Sequence, residues 1–74
     1  LLPRRPIIVE PGLPVREVLQ TMMERTIGCV LVVDEGQLLG IFTERDAVTR
    51  VGVNAEKFAE RPIFEFMTPT PESV

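Results

Sequence analysis

The 74-residue chain contains no histidine and a single cysteine, Cys29. One thiol cannot form an intramolecular disulfide, and without histidine there is no zinc-finger ligand set, so no metal is expected. Cys29 also has no imidazole to activate it, which argues against a catalytic thiol. Basic charge is scarce too: 8 Lys and Arg stand against 11 Asp and Glu, a net charge of −3. Nucleic-acid binders carry a basic stripe, so no nucleic-acid partner is expected. The longest apolar run, Cys29-Val30-Leu31-Val32-Val33, falls far short of the roughly 20 residues that span a bilayer. Leu1-Leu2-Pro3-Arg4-Arg5 does not read as a signal peptide. A start on Leu suggests a piece of a longer chain. A lone cysteine among apolar neighbours fits a reducing compartment, which gives a cytoplasmic expectation. No nucleophile–base pair and no paired-carboxylate constellation stands out, so the chain is not expected to be an enzyme.

What is present is ordinary globular material, 45% hydrophobic and 26% charged, which disfavours disorder despite seven prolines. A chain this short buries only about 60% of its unfolded surface. With no disulfide or metal to help, association with a second copy is the expected stabiliser.

Pro6-Ile7-Ile8-Val9 reads as a short strand closed by Glu10-Pro11-Gly12. Val15, Val18, Leu19, Met22 and Met23 then recur at helical spacing and make one apolar stripe. Pro14 suits the first turn of that helix and Gly28 a position after its end. Cys29–Val33 reads as a strand covered on both faces. Asp34-Glu35-Gly36 is a tight turn, and Gln37–Phe42 runs back as the second arm of a hairpin. Thr43-Glu44-Arg45-Asp46 is an N-cap followed three residues later by a carboxylate, the signature of a helix start. Ala47, Val48 and Val51 supply that helix's apolar side, and Gly52 stops it. Asn54 is placed to cap a further short helix through Ala59, ended by Arg61-Pro62. The expected order is β-α-β-β-α, an α/β fold with a small three-stranded sheet and two main helices. Phe64, Phe66 and Met67 follow with little domain left to bury them, so they are expected to pack on a partner. Laid back on the N-terminus, Pro71 falls on Pro6, Val74 on Val9 and Met67 on Leu2, a faint internal repeat.

Four stretches carry a family resemblance: the helix Val15–Arg25, Ile27–Asp34, Leu39-Gly40-Ile41-Phe42-Thr43-Glu44-Arg45-Asp46, and Phe66-Met67-Thr68-Pro69. Together they resemble a CBS domain, the regulatory repeat of the cystathionine-β-synthase type. The resemblance implies one complete repeat over residues 1–61, with 62–74 as a linker and the opening of a second, truncated repeat. It implies repeats that work in pairs, packed through their sheets, and a homodimer that rebuilds the pair. A regulated domain, fused or associated, would read the signal. Adenosine-containing ligands (AMP, ADP, ATP or S-adenosylmethionine) would bind in the cleft between repeats, as regulatory ligands rather than required cofactors.

By that resemblance Thr43 and Asp46 hydrogen-bond ribose hydroxyls, a task suited to a carboxylate that accepts from two adjacent donors. The same two residues also make a complete helix cap with no ligand at all, and both readings stand on the sequence. The N–H groups that open this helix could hold phosphate. Gly40 would let a nucleotide approach the strand, or else marks a bulge or a tight packing contact. Ile8, Ile27, Cys29 and Val30 would wall an adenine ring, or else are plain core, and Cys29 by default is a buried small hydrophobe. Arg45, or Arg4 and Arg5, would reach a phosphate, or else are solvated surface.

Overall fold

The computed structural model describes residues 6–70. The elements run β1 (Ile8–Val9), α1 (Val15–Arg25), β2 (Cys29–Asp34), β3 (Gln37–Thr43), α2 (Glu44–Asp46), α3 (Ala55–Phe58) and β4 (Thr68–Pro69). The sheet has four strands in the order β1-β2-β3-β4, one more than expected. β1 lies parallel to β2, while β2–β3 and β3–β4 are antiparallel. The extra strand escapes a periodicity reading because it is two residues long and contains a proline. At a sheet edge its missing N–H costs no ladder bond.

α1 starts at Pro14, which has no side chain to cap with. Its orphan amides are satisfied from far along the chain instead. Val15 N–H donates to Arg61 O and Arg16 N–H to Ala59 O, both at 2.9 Å. The helix ends on Thr26 in the left-handed region, φ 54°, and not at Gly28. Val15, Val18 and Met22 are buried, whereas Met23 turns out to solvent at 77% exposure. The β2–β3 turn is built on Glu35 and Gly36, with φ of 49° and 78°. Two positive values in a two-residue loop match the twist of antiparallel strands.

α2 is short, and the chain continues through a π-helical turn at Ala47–Val51. This wider turn rotates the following residues, so Val51 enters the core while Val48 is 72% exposed, against the expectation for Val48. Asn54 sits at the start of α3 without a side-chain cap bond.

The core lies between one sheet face and the helices. Val30, Val32, Phe42, Val15, Val18 and Ile63 are fully buried in it. Phe66 is 8% exposed and belongs to the same cluster, with Met67 packed against it. The tail therefore folds onto its own domain, because the space beside Phe58 and under β3 is open to it. Of the three residues expected on a partner, Phe64 alone stays half out in solvent. Residues 62–66 also bond back, with Ile63 N–H to Leu13 O at 2.8 Å and Phe64 N–H to Pro11 O at 3.1 Å. Arg4, Arg5, Pro71 and Val74 lie outside the described residues.

The opposite sheet face is apolar and uncovered. Ile8 is the register partner of Leu31, and Leu31 of Ile41, so the three stand in one row. β2 alternates between buried and more open positions, and its covered face is one only, contrary to the expectation of two. Among the described residues no helix is long and apolar enough to cross a membrane.

Candidate functional site

Where β3 ends, Thr43 takes an extended conformation and caps α2. Its hydroxyl accepts from Asp46 N–H at 3.2 Å. In return, Asp46 Oδ2 accepts from Thr43 N–H at 3.0 Å and from the Thr43 hydroxyl at 3.1 Å. The other carboxylate oxygen, Oδ1, accepts from Arg50 Nε at 3.2 Å and from the Thr68 hydroxyl at 2.9 Å. Asp46 is only 5% exposed, and it is the one buried charged residue among those described.

Burial pushes the Asp46 carboxyl up, since it penalises the charge. The Thr43 amide, the Thr68 and Thr43 hydroxyls and the Arg50 charge outweigh it and hold the group below the ordinary carboxylate value. The site therefore carries a fixed negative charge at neutral pH, on oxygens that only donors can approach.

The other expected site residues separate into groups. Cys29 is the register partner of Thr43, and it is exposed, not a buried hydrophobe. As the first residue of β2 it falls on the open face, out of phase with buried Val30 and Val32. Ile8, 62% exposed, stands on that same face beside Leu31. These two and Thr43 are thus available to a molecule lying on the open face. Val30 is fully buried against the core and has only backbone to offer.

Ile27 belongs to a different place, an open apolar groove of about 550 Å3 shared with Leu19, Met22, Met23 and Gly28. Arg45 is exposed. Gly40 is explained by packing: a Cβ there would lie 2.6 Å from Thr68 O and 2.8 Å from Met67 Sδ. The tail, not a ligand, occupies the room that this glycine leaves. The first amide of α2 is also taken, because Glu44 N–H donates to Gly28 O at 3.0 Å. With Asp46 N–H already on Thr43, the expected phosphate-holding amides are largely spent.

Two members of the cluster were not foreseen. Arg50 had a signal, since Asp46 and Arg50 are four residues apart and face each other on one helical side. Thr68 had none in its spacing, because it arrives from a separate strand.

The model of the CBS domain family matches residues 2–52. The chain belongs to the CBS domain family. Solved relatives share the architecture. A CBS-domain containing protein of Agrobacterium tumefaciens is 34% identical with a TM-score of 0.79, over 90% of this chain and 54% of that one. A cystathionine beta-synthase domain protein fused to a Zn-ribbon-like domain is 27% identical with a TM-score of 0.80, covering 95% and 100%. A CBS domain pair solved with 5′-methylthioadenosine and S-adenosyl-L-methionine is 26% identical with a TM-score of 0.68, covering 97% and 55%. This CBS domain thus spans about half the length of the first and third of these. No curated protein sequence matches it. The Thr43-to-Asp46 cap is the part of the fold where the family resemblance and the observed polar geometry coincide.

Proposed function

We propose that this CBS domain is a regulatory module that binds an adenosine-containing ligand between paired repeats and has no catalysis of its own. The observation that carries the reading is the Thr43–Asp46 pair, an ionised, nearly buried carboxylate at the edge of an uncovered apolar sheet face. Donors of a ribose suit the carboxylate, and a purine suits the apolar row Ile8–Leu31–Ile41. A relative of the same fold holding 5′-methylthioadenosine and S-adenosyl-L-methionine supports the class. AMP, ADP, ATP and S-adenosylmethionine all belong to it.

The uncovered sheet face also supports pairing with a second repeat, in a homodimer or with a fused neighbour. Burying it contributes about 25 cal/mol per Å2 of apolar surface. The exposed Cys29 thiol suits a reducing cytoplasm. Ligand binding would act by population shift, favouring one arrangement of the paired repeats and of the domain they regulate.

A second reading has its own observation. All the hydrogen-bonding positions of Asp46 are filled from within the chain, as in a module that only associates. Calorimetric titration with AMP, ATP and S-adenosylmethionine separates the two, with Asp46→Glu alongside wild type. The longer side chain keeps a carboxylate at the capping-box position but moves it by about 1.5 Å, one C–C bond. Affinity should fall roughly ten- to hundred-fold, and the apo melting point should fall as well, because the moved carboxylate also loses its fit to Arg50 and Thr68. Absence of binding to any of the three ligands, with the protein paired, overturns the sensing role and leaves association.

A further inference from the structure

Asp46 has no free acceptor position. A carboxylate offers about four, and four donors fill them: Thr43 N–H, the Thr43 hydroxyl, Arg50 Nε and the Thr68 hydroxyl. Any ribose hydroxyl that reaches this carboxylate must therefore displace a donor already there.

The four are not equally replaceable. Thr43 N–H is a backbone donor within the cap, and turning it away would leave it unpaired at the full cost of its desolvation. Arg50 supplies the countercharge that a nearly buried carboxylate needs. The Thr68 hydroxyl differs from the rest. It comes from an exposed residue on the two-residue strand β4, 22 positions along the chain. It can turn to water without orphaning any backbone group. Like the Thr43 hydroxyl, which Asp46 N–H ties into the cap at 3.2 Å, it is an alcohol on a saturated carbon, the same donor chemistry that a ribose presents.

We infer that the Thr68 hydroxyl is an internal stand-in for a ribose hydroxyl, and that a nucleotide at Asp46 exchanges it and frees β4 from its anchor. This rests on the nucleotide reading above and adds how the site is regulated. β4 is otherwise held by its pairing with Gly40 and Ile41, by Thr70 N–H to Leu39 O at 3.0 Å, by the Thr70 hydroxyl to Leu38 O at 3.2 Å and Leu39 O at 3.3 Å, and by the fit of Thr68 O over Gly40. Loss of the carboxylate contact loosens that strand, so occupancy of the site is transmitted along β4 to Thr70. Coupling of this kind is reciprocal: whatever pins β4 lowers nucleotide affinity by the same factor.

The test is Thr68→Val, which keeps the shape and removes the hydroxyl, beside Thr68→Ser, which keeps the hydroxyl. AMP is titrated calorimetrically into each full chain, and amide hydrogen exchange is followed with and without AMP. Thr68→Val should bind about tenfold more tightly than wild type, and Thr68→Ser should match wild type. In the apo state Thr68→Val should exchange faster at the Thr70 amide, and AMP should produce the same acceleration in wild type. Binding by Thr68→Val where wild type shows none also supports the exchange. Wild-type binding that is unchanged or weakened in Thr68→Val overturns the stand-in and leaves the nucleotide reading standing. Binding by none of the three chains overturns the nucleotide reading and the inference with it. An unaltered apo exchange rate at Thr70 in Thr68→Val overturns the anchor, whatever binds.

Discussion

Replacing Phe66 by alanine should cost this domain much of its stability, because the ring is a core element of its own chain. Phe66 is 8% exposed, and its ring centroid lies 5.1 Å from that of Phe58 at an interplanar angle of 43°. Truncating a buried phenylalanine costs about 3–5 kcal/mol through lost transfer energy and the cavity left behind. The tilted ring pair with Phe58 contributes up to about 1 kcal/mol beyond its buried area. A domain of this length has only about 4–11 kcal/mol in total. At roughly 4–8 °C per kcal/mol, Phe66→Ala should melt at least about 12 °C below wild type. Phe64, two residues earlier and 49% exposed, serves as the control, and Phe64→Ala should stay within about 1 kcal/mol. Both melts are recorded by circular dichroism at one fixed protein concentration, since pairing makes Tm concentration-dependent. A Phe66→Ala melt within about 4 °C of wild type, or a larger loss for Phe64→Ala, would refute the burial of the tail in its own domain.

Asp46→Asn should lower stability at pH 7 by roughly 1–3 kcal/mol. Because the folded carboxyl titrates below 3.8, this contribution is present above the unfolded value and lost as pH falls through the folded one. Denaturant titrations should therefore find the gap between variant and wild type closing below about pH 4; a constant gap would count against the network. Gly40→Ala should dislodge β4, since its Cβ would meet the backbone oxygen of Thr68 at 2.6 Å, and amide exchange at Thr70 should rise sharply while that of α1 does not. Glu35→Asn should stabilise by up to about 1 kcal/mol in thermal melts, because asparagine tolerates the positive φ of the turn better than glutamate. A loss of stability there would mean the turn differs from the one described.

Local chemistry was enough for most elements. The stripe from Val15 to Met22 specifies α1, because residues three and four apart share one helical face. Glu35-Gly36 between two apolar runs specifies the hairpin through the backbone angles its turn requires. Thr43 and Asp46 were legible as a cap because both partners lie within one turn of each other. The helical period failed at Val48, where the chain widens into a π turn, and at Met23, where the stripe reaches past the core.

Residues a few positions apart specify α1, the β2–β3 hairpin and the capped carboxylate. Tertiary structure alone decided what closes them. The amides that open α1 find their acceptors on Ala59 and Arg61, across more than forty residues. Phe66 fills a space beside Phe58 that exists only once α3 is in place, and Gly40 is required by a strand that pairs with it from the far end of the chain. The same return of the chain brings the Thr68 hydroxyl to Asp46. Contacts of that length leave no periodic trace, because their partners share neither a helical turn nor a hairpin.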